Sequence, residues 1–495
     1  MGVCGEDSKV ISTKNRNKKG KYSNVWRINP FLFLLHVHFE RISNMNLTLE
    51  QLKKDVAGGT IDTVVVVMTD MQGRLVGKRI SGQFFLDEIV KHGTEGCNYL
   101  LAVDVDMNTV GGYEMSSWDR GYSDFAMVPD LSTLRYIPWQ EGAAMVTADV
   151  QWLDHTDVVA SPRQILRRQI KRLADAGMKA FVGTELEFIV FNDTYEEAWN
   201  KRYRNLIPAN QYNVDYSILG GSRIEPLLRK IRLGMSGAGM YVESVKGECN
   251  FGQHEIAFKY DEALKTCDNH VIYKNGAKEI ASDMGYALTF MAKFNEREGN
   301  SSHIHCSFRG LDGELVLADD SDKEHGLSQV GKHFLAGMQA HLRELSLMWA
   351  PTINSYKRFQ PGTFAPTAIR WGRDNRTCAL RLVGHGPSLR VENRVPGGDV
   401  NPYLAVAGMI AAGLDGIQKK LPLEPAFVGN AYVSDSEFVP HTLEIAQKLW
   451  SNSSFVKEAF GEEVQKHYTN MAQVEIEAYG KAVTDWELFR NFERY

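Results

Sequence analysis

The chain has 495 residues, 43% hydrophobic and 24% charged, enough to bury a large core and ordinary for a globular protein. A formal net charge of −5 supplies no basic footprint for nucleic acid or for an anionic membrane surface. The six cysteines (Cys4, Cys97, Cys249, Cys267, Cys306, Cys378) have no Cys-x-x-Cys spacing, which argues against a zinc knuckle or disulfide framework and fits a reducing cytosol.

In chain order, residues 1–44 differ from the rest. The basic run Lys14–Lys21 precedes Phe31–Phe39, an apolar run too short to cross a bilayer and without a small-residue cleavage site behind it. Met1-Gly2 hints at myristoylation, but Glu6 stands where a Ser or Thr is usual. The expectation is a disordered leader, or translated upstream sequence with Met45 as the true start; a mitochondrial-type leader is the alternative.

From Met45 the pattern becomes regular. Leu47–Val56 reads as a short helix stopped by Gly58-Gly59. Thr63–Met68 is a buried strand, and Asp70-Met71-Gln72-Gly73 turns it into a second strand, Leu75–Ile80. This small mixed domain spans residues 45–152. Ser161–Ala176 then shows helical spacing of Ile165, Ile170 and Leu173, and the helical stretches Leu327–Trp349 and His441–Trp450 alternate with short strands. Residues 153–495 are therefore expected to be α+β rather than a regular βαβ array. Two glycine-rich segments carry no phosphate site. Gly73–Arg79 misses the P-loop spacing and has Arg79 where Ser or Thr is needed, and Gly234–Gly239 reads as a plain loop.

Chemistry concentrates in four segments that place acids or histidines on one face, because residues i and i+2 of a strand point the same way. Phe181–Val190 presents Glu185 and Glu187 together, with Val182, Leu186, Phe188 and Val190 opposite. Two such carboxylates repel unless a cation or arginine lies between them; the plainer reading is the exposed face of an edge strand. Glu243–Glu255 brings Glu248 and Glu255 together across a glycine-containing turn. Ser301–Phe308 aligns His303, His305 and Ser307. Arg390–Arg394 sets Glu392 between two arginines, as a site or as a cross-strand ion-pair ladder. Five carboxylates and one imidazole favour Mg²⁺ or Mn²⁺ over zinc and are enough to surround two ions, which suits phosphoryl transfer. Arg358, Arg373, Arg376, Arg381 and Arg394 supply cations for phosphate and carboxylate groups.

In this order the segments resemble the glutamine synthetase superfamily over about residues 46–495. The matching pieces are Glu185-Leu186-Glu187, Glu248 through Gly252-Gln253-His254-Glu255, His303-Ile304-His305, Asn354–Arg358, Asn375-Arg376, Glu392-Asn393-Arg394 and Asn401-Pro402-Tyr403. The resemblance implies a small β-grasp-like amino-terminal domain and a large catalytic domain built on a curved antiparallel sheet with helices. It implies one metal at Glu187, Glu248 and Glu255, and another at Glu185, His303 and Glu392. Glu243, His305 and Ser307 fall on ATP-contacting positions, Arg376 and Arg381 on phosphate positions, and Tyr260 where an aromatic packs on adenine. Arg358, Arg394 and Gly299 fall on glutamate-binding positions.

The implied reaction has two steps: the γ-carboxylate of glutamate attacks the γ-phosphate of ATP to give γ-glutamyl phosphate, and an amine then displaces phosphate under a closing loop. Three departures narrow it. Phe364 stands where ammonia-using members carry a glutamate. The family's Asp-Gly-Ser-Ser ammonium segment, contributed by a neighbouring subunit, is replaced by Ala102–Asn108, leaving Asp104 or Asp106 as loose substitutes. Glu298 stands where Asn is common beside the glutamate α-carbon, and Arg297–His303 resembles the γ-glutamylpolyamine and γ-glutamylethanolamide synthetase branch. The tyrosine adenylylated in some relatives has no counterpart near Gln418–Pro422. The expectation is a cytoplasmic ATP-dependent ligase joining glutamate to a polyamine or ethanolamine-type amine, in homo-oligomers of six-membered rings stacked as twelve. Glutamine synthesis from ammonia is the alternative, and a non-catalytic structural or regulatory relative a third reading that the complete ligand set opposes.

Overall fold

The computed structural model describes residues 47–495, so the expectations for residues 1–44 lie outside the described residues. Thr48 opens the first helix of the described residues, Leu49–Ala57, by accepting the N–H of Gln51 on its hydroxyl at 3.2 Å. The valine run that follows is β1 (Thr63–Thr69), buried beyond its first residue. Asp70 accepts the N–H of Arg74 at 2.8 Å and Gly73 adopts φ 81°, which returns the chain antiparallel as β2 (Leu75–Ser81). With β3 (Thr94–Cys97), β4 (Asp124–Pro129), β5 (Arg135–Tyr136) and β6 (Ala143–Gln151), these form a sheet of order β2-β1-β6-β4-β3, with β5 on β6. β1 and β6 run parallel; the other pairs are antiparallel.

A larger sheet carries the chemistry. Its strands are β7 (Met178–Phe191), β8 (Val242–Gly247), β9 (Gln253–Phe258), β10 (Asp261–Glu262), β11 (Ala287–Thr289), β12 (Ser302–Gly310), β13 (Ala368–Arg373), β14 (Cys378–Val383) and β15 (Arg390–Asn393). Their order is β13-β14-β15-β12-β7-β9-β8, antiparallel except β13 with β14, and β10 and β11 also pair with β7. β7 lies between β12 and β9, so Glu185 and Glu187 are not on an edge strand. Val182, Leu186, Phe188 and Val190 are buried on its other side, and helices Pro162–Asp175 and Ala263–Asp283 pack on the strand. Pro402–Lys419, apolar nearly all round, is buried among these helices and Gln329–Ala340. The fold is α+β.

Polar joints fasten the two sheets. Arg163 is buried and binds Asp268 through two bonds of 2.9 Å, Asp149 at 2.5 Å and Asp130 at 2.9 Å. The Asn401 amide donates to the carbonyls of Asp70 and Met71 at 3.1 Å each. Buried charge in this arrangement is tolerable because every prong of the guanidinium has a carboxylate. Among the described residues no helix is long and apolar enough to cross a membrane.

Two local expectations need correction. Leu327–Trp349 is two helices, Gln329–Ala340 and Ser346–Trp349, separated at His341, whose ring stacks on Phe455 and bonds Glu344 and Asp415. Gly234–Gly239 is not a plain loop: helix Glu225–Gly237 runs through most of it. A Cβ on Gly237 would lie 2.6 Å from Pro138, and one on Gly234 3.3 Å from Trp139. These glycines permit a close helix contact.

Candidate active site

The acidic side chains of the large sheet open into a cleft of about 250 Å³. Register explains the convergence. Glu185 lies directly across from His303, Glu187 from Glu255, and Glu392 from both His305 and Arg381. The tight turn at Gly252 (φ 71°) folds Glu248 back beside Glu255.

Two groups of three result, each with ligand atoms within 4.8 Å of one another: Glu187, Glu248 and Glu255, and Glu185, His303 and Glu392. The first is all carboxylate. Glu187 accepts the N–H of Ser301 at 2.7 Å and the amide of Gln253 at 3.0 Å. The Lys246 ammonium pairs with Glu248 and lies 3.7 Å from Glu255. Even so, burial, reinforced by the charge of Glu185, pushes the Glu255 carboxyl up to about 8. The second group is internally compensated. His303 lies 3.3 Å from Glu185 and 3.4 Å from Glu392, and His305 lies 2.9 Å from Glu185. Glu392 accepts from Arg381 at 2.8 Å and Arg394 at 2.5 Å. Burial alone would raise Glu392, but His303, Arg394 and His305 outweigh it and hold the carboxyl at about 2. Glu185 is likewise held far below the usual carboxylate range by its two histidines against its burial. Burial lowers His303, and its Nε2 is buried without a partner. A carboxylate trio around one lysine, and a second trio with a free imidazole nitrogen, fit divalent cations with oxygen-rich shells.

The other expected residues divide into two sets. Gly299, Phe364, Arg376, Arg381 and Arg394 line the cleft. A Cβ on Gly299 would stand 2.2 Å from the Ala292 carbonyl oxygen, so only glycine fits there. Phe364 is exposed, with φ 57°, and its carbonyl accepts from Arg394 at 3.3 Å. Arg358 lies beneath the cleft, fully buried and donating to the Val395 carbonyl, the Ser301 hydroxyl and the Arg394 carbonyl; burial pushes it down to about 10. Glu243, Tyr260, His305 and Ser307 lie outside the cleft lining. Tyr260 stands edge-on to Phe181, 6.1 Å between ring centres, and His305 accepts from Arg390 at 3.1 Å on Nδ1 and donates from Nε2 to Glu185 at 2.9 Å. Asp104 uses its oxygens on its own loop, accepting from Asp106, Asn108 and the Asn108 amide; neither it nor Asp106 lines the cleft.

The sequence reading missed Asp215, Tyr216 and Cys249, and gave no role to Lys246. All four line the cleft, and Asp215, Glu248 and Cys249 form a third close group. Lys246 shares the strand face of Glu248 and was detectable by spacing. Asp215-Tyr216 sits in an irregular loop, and no periodicity announces it. A larger groove of about 740 Å³, between Gly112–Met115 and the carboxy-terminal helices, holds none of the three groups.

Comparison with known proteins identifies the family. The family model for the glutamine synthetase catalytic domain matches residues 159–491. The chain is 65% identical over 448 residues to gamma-glutamylethanolamide synthetase GlnA4 of Streptomyces coelicolor, covering 90% of this chain and 96% of that protein. It is 38% identical over 435 residues to glutamate–isopropylamine ligase of a Pseudomonas species, covering 87% and 95%. Among solved structures, a GmaS/ADP complex superposes with a TM-score of 0.79 at 26% identity, covering 89% of this chain and 99% of that one. The chain belongs to the glutamine synthetase family.

Proposed function

We propose that the chain joins glutamate to a small amine, of the ethanolamine or polyamine type, with hydrolysis of ATP to ADP and phosphate. Family membership brings ATP and a divalent metal; two ions per site, Mg²⁺ or Mn²⁺, suit the two trios. The observation that carries the amine reading is Phe364, an aromatic side chain on the cleft wall where ammonia-using members place an acid. The similarity to the ethanolamide and isopropylamine enzymes supports it.

In this reading Glu187, Glu248 and Glu255 hold one cation, and Glu185, His303 and Glu392 the other. Bound cations would draw charge from the phosphate oxygens and make the γ-phosphorus more electrophilic. Arg376, exposed at the cleft, and Arg381 clamp the phosphates; Glu243, His305 and Ser307 contact the nucleotide, and Tyr260 covers the adenine. Gly299 leaves room for glutamate, and Arg394 receives its carboxylate. Arg358, locked under Ser301 and Arg394, acts by fixing that wall. The γ-carboxylate oxygen bonds to phosphorus as ADP leaves. The amine, once its ammonium form has given a proton to solvent, bonds through nitrogen to the acyl carbon; phosphate departs with the C–O electron pair and takes up the second proton that the nitrogen releases. An aromatic wall accommodates a carbon-bearing amine. The reading includes a division into residues 45–152 and 153–495, assembly into six-membered rings stacked as twelve, and a cytoplasmic location.

The test is ADP release with glutamate and a panel of amines, with products weighed by mass spectrometry. Products of glutamate plus amine minus water from ethanolamine or a polyamine are expected. Turnover with ammonium alone would overturn the reading.

A further inference from the structure

The cleft contains more negative charge than the two trios use. Glu185, Glu187, Glu248, Glu255 and Glu392 belong to the trios, which leaves Asp215 and Glu298. Glu298 adjoins Gly299, on the wall that the proposed function gives to glutamate, whose α-ammonium it can take. Asp215 has a carboxylate oxygen within 4.8 Å of ligand atoms of Glu248 and Cys249. Among the described residues its carboxylate has one hydrogen-bond partner, the Cys249 thiol at 3.6 Å.

Its surroundings suit an alkylammonium. The next residue, Tyr216, is pinned by its N–H to the Gly247 carbonyl at 3.3 Å and adopts φ 53°. Phe364, which lines the same cleft, adopts φ 57°. Bulky side chains rarely occupy this left-handed region. The chain also supplies its own example of the ligand. The primary ammonium of Lys246 stands 5.2 Å from the centre of the Tyr216 ring while pairing with Glu248. A cation over an aromatic face beside a carboxylate is a standard arrangement for alkylammonium recognition.

We infer that Asp215 receives the charged nitrogen of the acceptor amine, and that Tyr216 and Phe364 flank its carbon chain. This rests on the amine-ligase reading. It assigns the acceptor side to a residue of the same chain that bears the catalytic trios, and the substrate class to primary alkylamines that are cations at neutral pH.

The experiment compares ethanolamine, a cation at neutral pH, with hydroxylamine, which is uncharged there. Asp215→Asn should raise the KM for ethanolamine about tenfold, the loss of one charge-assisted bond. The KM values for hydroxylamine, ATP and glutamate should change less than about twofold on the same argument. Asp215→Glu should restore much of the preference for the charged amine, and Tyr216→Leu should raise the ethanolamine KM about threefold. Thermal melting and Mn²⁺ titration of each variant establish that fold and metal binding persist. Equal losses with ethanolamine and hydroxylamine, or a parallel rise in the KM for ATP, would overturn the inference and make Asp215 a support for the trio. Failure of the underlying reading looks different: the wild-type enzyme itself would use ammonium and no primary amine.

Discussion

The two trios are built from the same sheet and share β7, yet they solve the problem of buried charge in opposite ways. Glu185, His303 and Glu392 are surrounded by His305, Arg381 and Arg394, so the group is stable as the chain makes it. Glu187, Glu248 and Glu255 have Lys246 as their one lysine or arginine salt-bridge partner among the described residues, and Glu255 is pushed toward its neutral form. One trio is compensated by the fold's own cations, whereas the other has carboxylate charge in excess. A protein that must bind and position charged phosphates gains from both: a rigid anchor and a receptive partner.

The sharpest way to break this comparison is to remove one carboxylate from each side. Glu392→Ala leaves the buried Arg394 without its carboxylate and should lower folding stability by about 3–5 kcal/mol, read by denaturant unfolding. Glu248→Ala removes a carboxylate that is itself in excess, so the metal-free protein should melt within a few degrees of the wild type. Its turnover should nevertheless fall by about 10²–10³-fold, and Mn²⁺ titration should show one site lost. If Glu248→Ala unfolds and Glu392→Ala does not, the contrast between the trios is wrong.

Opposite pH dependences provide a second, smaller contrast. Glu255 rises from 4.5 to about 8 on folding, so the folded state holds the extra proton between those values. Its contribution is therefore most favourable below 4.5 and is lost as pH rises through 8. Glu392 falls from 4.5 to about 2, so its contribution is present above 4.5 and is lost as pH drops toward 2. In the metal-free protein Glu255→Gln should flatten the neutral-to-alkaline fall in melting temperature, and Glu392→Gln the acid fall. The smallest expected effect is at the cleft wall. Phe364→Glu should shift preference toward ammonium by about tenfold in relative kcat/KM, with both trios and the melting temperature unchanged.

Much of the site was legible because a strand repeats every two residues. That period alone placed Glu185 with Glu187 and His303 with His305 on common faces, and it identified an oxygen-rich set suited to phosphoryl transfer. The same local regularity marked the first helix, the β1–β2 hairpin and β7. It failed where a residue's meaning depended on a distant partner. Gly234 and Gly237 resemble loop glycines until Trp139 and Pro138 are seen against them. Arg358 gives no local sign of its burial, which only the packing of its guanidinium against the Val395 and Arg394 carbonyls reveals. Strand order, which brings residue 392 beside residue 305 and residue 255 beside residue 187, is a tertiary fact, since no local pattern encodes which strands become neighbours. Asp215 and Tyr216 belong to the same category. Their loop has no periodicity to read, and only the folded chain sets them against Lys246 and Glu248 in the cleft.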